Sequence, residues 1–250
     1  MNMPTVGIMR GIGFTWLDAV ALAIFLIAWC LHYWIVNFSP WHKKTISAQM
    51  GIVRQRWMYN MVLRSAKMPD TLIQNTLQYG VLFFASTSIL LIGALVAGLR
   101  ASDQAVELLS DLPFTVGTTK SVWELKILVV MFIFTFAFFK FAWSHRLFNY
   151  VLILIGAAPD ETVAKKEGYT DTIDAENYAA TVGKLHALGA RHFTTGLNAY
   201  FFAMAASAWF VSPELFIVAT IWVSFVLYRR AFWSVFGRTL RDVEGIDREL

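Results

Sequence analysis

The sequence predicts an all-α membrane protein, a polytopic bundle of five transmembrane helices with an amphipathic helix at the membrane surface. The chain is 57% hydrophobic and 15% charged, whereas soluble domains are about 45–50% apolar and about 25% charged. Several apolar stretches reach the roughly 18–20 residues that a helix needs to cross a bilayer. Basic residues also concentrate in alternate loops, as the positive-inside rule requires. Residues 1–250 are therefore expected to form a single integral membrane domain.

The first two spans are predicted at about residues 16–36 and 77–99. Asp18, near the start of the first span, is expected at the membrane interface. Asp70 is expected to cap the helix that leads into the second span. The single cysteine, Cys30, lies inside the first span, so the chain cannot form an intramolecular disulfide.

The third apolar run is too long for a bilayer, because it begins near residue 122 and continues to about residue 156. Lys140 and Trp143 favour the headgroup level, so the third span is placed at 122–143, with its end projecting beyond the membrane. The fourth span is predicted at 191–211. Its helical pattern begins earlier, near residue 175, so helices three and four are both expected to extend into the cytoplasm.

A short turn, where one helix ends and the next begins, separates the last two spans. Ser212 is a typical N-cap, Pro213 suits the first helical position, and Glu214 suits the first turn. The fifth span is predicted at about residues 213–228. Because the turn is short, spans four and five are expected to be antiparallel neighbours.

The loop charges predict the orientation. The loop between spans one and two carries six basic residues against one acid, whereas the loop between spans two and three carries two against three. Lys165, Lys166 and Lys184 follow span three, and five arginines follow span five. Five spans, with the N-terminus outside and the C-terminus in the cytoplasm, place every basic segment on the cytoplasmic side.

The loop after span one contains an amphipathic pattern. Apolar residues recur every three or four positions, at Ile46, Met50, Val53, Trp57 and Met61. This pattern predicts a helix lying in the headgroup plane. The residues expected to contact anionic lipid headgroups are Lys43, Lys44, Arg54, Arg56 and Trp57. The polar segment 159–176 is expected to be a solvated hairpin.

Polar residues near the cytoplasmic ends of the helices are candidates for a ligand site or an ion pathway. Such residues usually face the bundle and pair with one another, so interhelical hydrogen bonds and headgroup contacts are the simpler interpretation. The candidates are Arg146, Asn149, Tyr150, Arg191, His192, Asn198, Asn75 and Gln78.

Three histidines fall at a similar predicted depth, within about 6–8 Å along the membrane normal. His32, His145 and His192 are therefore weak candidates for a metal or haem site, since bundle cores often hold such sites. No paired ligand motif of the HxxxH, ExxH or CxxC type supports this reading. The prediction is that the protein has no metal and no cofactor.

Small residues recur at four-residue spacing in two places. Gly93 with Ala97, and Ala94 with Gly98, mark span two, and Ala179, Gly183 and Ala187 mark the projecting part of helix four. Such spacing lets helix backbones approach closely. Packing within one protomer and packing between protomers both remain open.

Five local patterns along the chain are distinctive. They are RQRWM at 54–58, LFFASTSILLIG at 82–93, FAWSHRLFNYVLILIGAAP at 141–159, HFTTGLNAYFFA at 192–203 and VLYRRAF at 226–232. In order and spacing they resemble the bacterial and plant membrane family of domain of unknown function 599, over roughly residues 34–232. The chain has Arg146-Leu147 where that family usually has arginine-glutamine. The resemblance implies a multi-span plasma-membrane protein and supplies no activity.

The function expected from the sequence is non-catalytic. No Walker motif, GxSxG motif or Gly-rich nucleotide fingerprint occurs, so the protein is not expected to be an enzyme. The first hypothesis is a protein of the bacterial inner membrane that self-associates or serves as an accessory subunit of a larger membrane complex. The alternative is an oligomeric channel or small-solute transporter. The expected partners are lipids and other membrane subunits, with no nucleic acid.

Overall fold

The computed structural model describes residues 14–41, 45–110, 119–158 and 175–233, apart from the side chains of 108–110. Within those ranges the secondary structure is helical and no strand occurs. The helices are α1 (Trp16–Asn37), α2 (Ile46–Leu63), α3 (Met68–Arg100), α4 (Ser102–Ser110), α5 (Lys120–Gly156), α6 (Ala175–Ser207) and α7 (Pro213–Phe232), with a 3-10 turn at Ala208–Phe210.

The long helices follow the sequence pattern. α5 is continuous over 37 residues and α6 over 33 residues, so neither helix breaks where it was predicted to leave the membrane. α7 begins at Pro213 as predicted, and the Ser212 hydroxyl accepts a hydrogen bond from the Leu215 backbone N–H at 3.2 Å. α3 begins at Met68, well before the predicted span, so it is a third helix longer than a bilayer requires.

Four helices are long and apolar enough to cross a membrane: α1, α3, α5 and α7. The model therefore supports a membrane protein with four candidate spans among the described residues. α6 is not one of them, although a span was predicted at 191–211. Residues Ala199, Phe202 and Ala203 of α6 are fully buried in protein. The fifth span therefore remains a prediction.

The helices contribute to two compact units. Unit 1 is formed by the described parts of Met1–Ser39, Thr87–Phe138 and Leu197–Arg230, and unit 2 by those of Pro40–Ser86, Phe139–Gly196 and Ala231–Leu250.

Unit 1 has an aromatic core. Phe25 of α1 is fully buried, and its ring centroid lies 5.8 Å from that of Phe202 and 5.1 Å from that of Phe216. Trp209 stacks on Phe216 with centroids 5.1 Å apart. α1, α6 and α7 are therefore joined by ring contacts, each of which contributes about 0.5–1.5 kcal/mol beyond area burial.

Asp18 lies inside unit 1 and not at its surface. It forms a capping box with Thr15 at the start of α1, and its Oδ1 accepts a hydrogen bond from the Trp209 indole N–H at 2.7 Å. Only 4% of Asp18 is exposed. Thr15 and Trp209 satisfy this buried carboxylate, as buried polar groups require, and its level at the membrane interface remains a prediction.

Unit 2 has an apolar cluster contributed by three helices. α2 provides Met58, Met61 and Val62, α5 provides Val151, Ile155 and Ala158, and α6 provides Ala179 and Val182. The predicted helix in the loop after span one is thus confirmed as α2, but its buried face packs against the ends of α5 and α6. A location in the headgroup plane remains a prediction.

α5 and α6 pair through two phenylalanines that lie against two glycines. A Cβ on Gly189 would lie 2.7 Å from Cε1 of Phe148, and one on Gly196 would lie 2.5 Å from Cε1 of Phe141. Both pairs are seven residues apart along their helices, as expected for antiparallel partners with a repeating contact. Ser144 lies between the two phenylalanines in sequence, and its hydroxyl donates to the Gly189 carbonyl at 2.8 Å.

The two small-residue repeats have different surroundings. In α6, a Cβ on Gly183 would lie 2.8 Å from the Cα of Gln55, so this repeat lets α2 approach α6 within one protomer. In α3, Gly93, Ala94 and Ala97 are exposed, and nothing lies within 4 Å of a Cβ on Gly93. The α3 repeat therefore presents a shallow strip on the surface of unit 1.

Gly183→Ala is expected to destabilise the protein by about 1–3 kcal/mol, because backbone atoms cannot move aside for the new methyl group. Thermal unfolding of the purified protein in detergent measures this loss. The matched control is Gly80→Ala, where nothing lies within 4 Å of the new Cβ. That change should leave stability unaltered or raise it by about 0.5–1 kcal/mol through helix propensity. Equal melting temperatures for the two variants would contradict the close approach of α2 and α6.

Candidate functional site

One face of α3 places a polar row inside unit 2. Asp70, Gln74 and Gln78 are four residues apart, so they lie on one side of the helix. Asp70 and Gln74 are fully buried and Gln78 is 8% exposed. Gln78 was singled out from the sequence, whereas Asp70 was predicted only as a cap and Gln74 was missed. Their four-residue spacing is the signal that identifies the row.

Asp70 joins α2 to α3. Its Oδ1 accepts hydrogen bonds from the Trp57 indole N–H at 2.7 Å and from Nη1 of Arg64 at 2.8 Å. Asp70 therefore lies in the first turn of α3 and binds side chains of the preceding helix, instead of capping α3 as predicted. The indole N–H of Trp57 is thus engaged by Asp70 inside unit 2, and the headgroup contact predicted for this residue remains a prediction.

The next two residues of the row reach α5. Nε2 of Gln74 donates to the Phe148 carbonyl at 3.3 Å, and Nε2 of Gln78 donates to Oδ1 of Asn149 at 3.1 Å. The Asn149 amide nitrogen lies 3.2 Å from Nε2 of His145. Because an amide nitrogen donates, Nε2 of His145 is the acceptor in this contact. The structure thus brings together Gln78, Asn149 and His145, three of the residues singled out from the sequence.

His186 of α6 is the central residue that the sequence analysis missed. It is 1% exposed, and its ring centroid lies 5.3 Å from that of Trp57 and 5.0 Å from that of Phe148. Neither ring nitrogen has a hydrogen-bond partner in the described chain. Burial, aided by the positive charge of Arg54, lowers the pKa of His186 to about 3, so the imidazole is neutral at physiological pH.

The buried polar atoms of unit 2 are only partly satisfied. Oδ2 of Asp70, Oε1 of Gln74, Nδ1 of His145 and both ring nitrogens of His186 have no partner among the described residues. Buried polar groups normally pair with protein, ordered water or ligand. These atoms remain available to hydrogen-bond a small molecule, and among the described residues of the row none is a nucleophile paired with a base.

Other predicted residues of unit 2 lie on its surface. Nε of Arg146 donates to the Tyr150 hydroxyl at 2.7 Å, and its guanidinium carbon is 5.8 Å from the Trp143 ring centroid. The rings of Trp143 and His192 have centroids 6.4 Å apart. Arg191 is exposed beside His192. These residues form a second group, separate in its contacts from the buried row.

The remaining predicted residues are placed as follows. In unit 1 the Asn198 amide nitrogen lies 3.3 Å from Nε2 of His32. Asn75 is half-buried, with no side-chain hydrogen bond to described residues. Arg56 is exposed and Arg54 is half-buried, whereas Lys43 and Lys44 lie outside the described residues, as does most of the predicted hairpin at 159–176.

In the described ranges no group of three His, Cys, Asp or Glu side chains is placed to hold a metal ion.

Unit 1 contains a buried cation that the sequence analysis did not single out. Lys126 of α5 is 3% exposed, and its ammonium lies 5.6 Å from the centroid of the Trp209 ring. The negative charge of Asp18 also acts on it. A lysine four positions into the predicted span at 122–143 is an available signal, because intramembrane charges normally have a partner.

The neutral state of His186 predicts a pH-dependent stability. The unfolded state takes up a proton near pH 6.5, whereas the folded state does so only near pH 3. Stability is therefore fully present above about pH 6.5 and falls by up to about 1.4 kcal/mol per pH unit below it. His186→Leu is expected to reduce this slope between pH 7 and pH 5, as measured by unfolding in detergent.

Gln49→Leu is the control for that experiment. It also removes a buried atom without a partner, Oε1 of Gln49, but it removes no titrating group, so the pH slope should not change. An unchanged slope in His186→Leu would show that His186 is not held neutral in the folded protein.

The comparisons with known proteins identify the family. The model of the family described as "Protein of unknown function, DUF599" matches residues 20–236, which include every helix that forms the buried row and the surface group. No curated protein and no solved structure matches the chain. The family match confirms the resemblance seen in the sequence, and the protein belongs to the DUF599 family.

Proposed function

We propose that this protein is a non-catalytic integral membrane protein whose role depends on self-association, or on assembly as an accessory subunit of a larger membrane complex. The observation that carries this proposal is the exposed small-residue strip of α3. Gly93, Ala94 and Ala97 are exposed within a helix whose neighbouring Leu90 is 73% exposed. In a membrane such a strip lets a second helix approach closely, so that dispersion contacts drive association.

The proposed topology has five spans in the bacterial inner membrane, with the N-terminus outside and the C-terminus in the cytoplasm. α1, α3, α5 and α7 are four of these spans, and α6 is the fifth. The 33 residues of α6 correspond to about 50 Å of helix, and its C-terminal residues are buried against other helices of unit 1. The basic residues of the loops support this orientation.

Substitution in the strip is the direct test of self-association. Gly93→Leu and Ala97→Leu are each expected to weaken association by at least roughly tenfold, or ~1.4 kcal/mol, because a leucine separates the helix backbones. The measurement is energy transfer between labelled copies in liposomes, followed as the protein is diluted with lipid.

The matched control is Gly80→Leu, which makes the same change on the same helix in open space but outside the repeat. It is expected to leave association within about twofold of the unsubstituted protein. The proposal is abandoned if the unsubstituted protein is monomeric in liposomes and native purification recovers no stoichiometric membrane partner.

A channel or small-solute transporter is the second candidate, and one specific observation favours it. Gln78 of α3 is hydrogen-bonded to Asn149 of α5, and Asn149 to His145 of α5. The series ends at Nδ1 of His145, which has no partner among the described residues. Polar series of this kind mark ion or solute pathways in membrane proteins. On this reading Arg146 and Asn75 flank the entrance.

Flux through proteoliposomes tests this second candidate. If the series conducts, Asn149→Leu is expected to reduce flux of small cations by roughly tenfold or more while leaving self-association unchanged. Thr181→Leu, an exposed position of α6, is the control and should have no effect. Liposomes that remain ion-tight with the unsubstituted protein would exclude the channel.

A further inference from the structure

The surface group of unit 2 is rich in positive charge. It comprises three cations, Lys140 and Arg146 of α5 and Arg191 of α6, together with His192 of α6, and is called the cationic cluster below. Arg146 and Arg191 are exposed, and Lys140 and His192 are half-buried. The positive charge of Arg191 acts on Lys140, and both charges act on His192. α5 and α6 therefore bring like charges together.

The two arginines are not neutralised by the protein around them. Within the described ranges, neither Arg146 nor Arg191 forms an ion pair with a carboxylate. The like charges of Lys140 and Arg191 repel each other. An anion bound among them removes this repulsion, so the charge arrangement favours a negatively charged ligand.

Arg146 is oriented by its neighbours in a way that leaves donors available. Its Nε donates to the Tyr150 hydroxyl at 2.7 Å, and its guanidinium lies near the rings of both Trp143 and Tyr150, at 5.8 and 5.7 Å. The guanidinium has five N–H donors, and those of its two Nη atoms have no partner among the described residues. A planar, pre-oriented fork of this kind suits the oxygens of a phosphate.

The surroundings of the cluster are apolar on one side. Phe139 precedes it on α5 and is 65% exposed. Trp143, which is 46% exposed, lies beside Arg146. Tryptophan next to basic residues, following an apolar helical surface, is typical of the level at which lipid headgroups meet the acyl chains. A ligand that carries both a phosphate and a hydrocarbon tail matches the positive charge of the cluster and the apolar surface beside it.

We propose that the cationic cluster binds the phosphate of an anionic phospholipid, with the acyl chains lying along Phe139 of α5. This site is distinct from the basic residues of α2 that were predicted to contact headgroups. It goes beyond the proposed self-association and does not depend on it, because the α3 strip contributes no residue to the cluster.

The test uses the full-length protein in a non-ionic detergent. Its thermal unfolding and its retention of lipid in native mass spectrometry are compared after addition of phosphatidylglycerol, phosphatidylcholine or inorganic phosphate. Phosphatidylglycerol is expected to raise the melting temperature and to remain bound at lower concentrations than phosphatidylcholine. Inorganic phosphate alone should have little effect, since it lacks the hydrocarbon tail.

Variants then locate the site. Arg146→Gln and Arg191→Gln are each expected to weaken phosphatidylglycerol binding by about fivefold, which is the effect of about one basic contact with an anionic lipid surface. Arg146→Lys is expected to restore only part of the binding, because it keeps the charge and loses the fork. Arg229→Gln is the matched control, an exposed arginine in the last turn of α7, and should remain within about twofold of the unsubstituted protein.

Three results would overturn the proposal. The first is equal retention of phosphatidylglycerol by Arg146→Gln, Arg191→Gln and the unsubstituted protein. The second is equal binding of phosphatidylcholine and phosphatidylglycerol, which would mean that charge does not select the lipid. The third is the full stabilisation with inorganic phosphate alone, which would assign the cluster to a free anion. Both arginines are exposed, so these substitutions are expected to leave the fold intact. Melting temperatures measured without lipid check that the variants are folded.

Discussion

The pairing of α5 with α6 is the constraint on which the interior of unit 2 depends. Two phenyl rings occupy space that only glycine leaves open, so the two helices can neither rotate nor slide without a clash. This fixed register places His186 against Phe148 and turns the opposite residues, Trp143 and His192, toward each other at the surface. The buried polar row and the cationic cluster are thus two results of one helix contact.

Polar groups are used differently in the two units. In unit 1 the buried Asp18 has donors in Thr15 and Trp209 and a cation nearby in Lys126, so charge is balanced locally. Buried atoms without described partners occur at Trp123 and Thr220 in unit 1, and more of them occur in unit 2, at Gln49, Asp70, Gln74, His145 and His186. A group left unpaired in a dry interior costs about 1–3 kcal/mol, and proteins retain such groups where water or a ligand has access. Unit 2 is therefore where binding is better supported.

Much of the architecture could be predicted from the sequence, because helix length, apolar content and end signals are local properties. The continuity of α5, the start of α6 at Ala175 and the cap at Ser212 are examples. Contacts between helices were harder to predict, since residues far apart in the chain decide them. His186 lies in the part of α6 that was predicted to extend into the cytoplasm. Its neighbours along the chain do not indicate that Trp57 and Phe148 enclose it. The exposure of the α3 repeat and the burial of the α6 repeat likewise depend on which helix lies opposite.

The bonds from Trp57 and Arg64 to Asp70 also bear on how the chain folds during synthesis. They join residues only 13 and 6 positions apart, so closing this loop costs little chain entropy. The α2–α3 hairpin can consequently assemble while the later helices are still within or near the ribosome. The ends of α5 and α6 can then pack against Met58, Met61 and Val62 of α2. A local hairpin that forms first reduces the number of arrangements open to the long helices that follow.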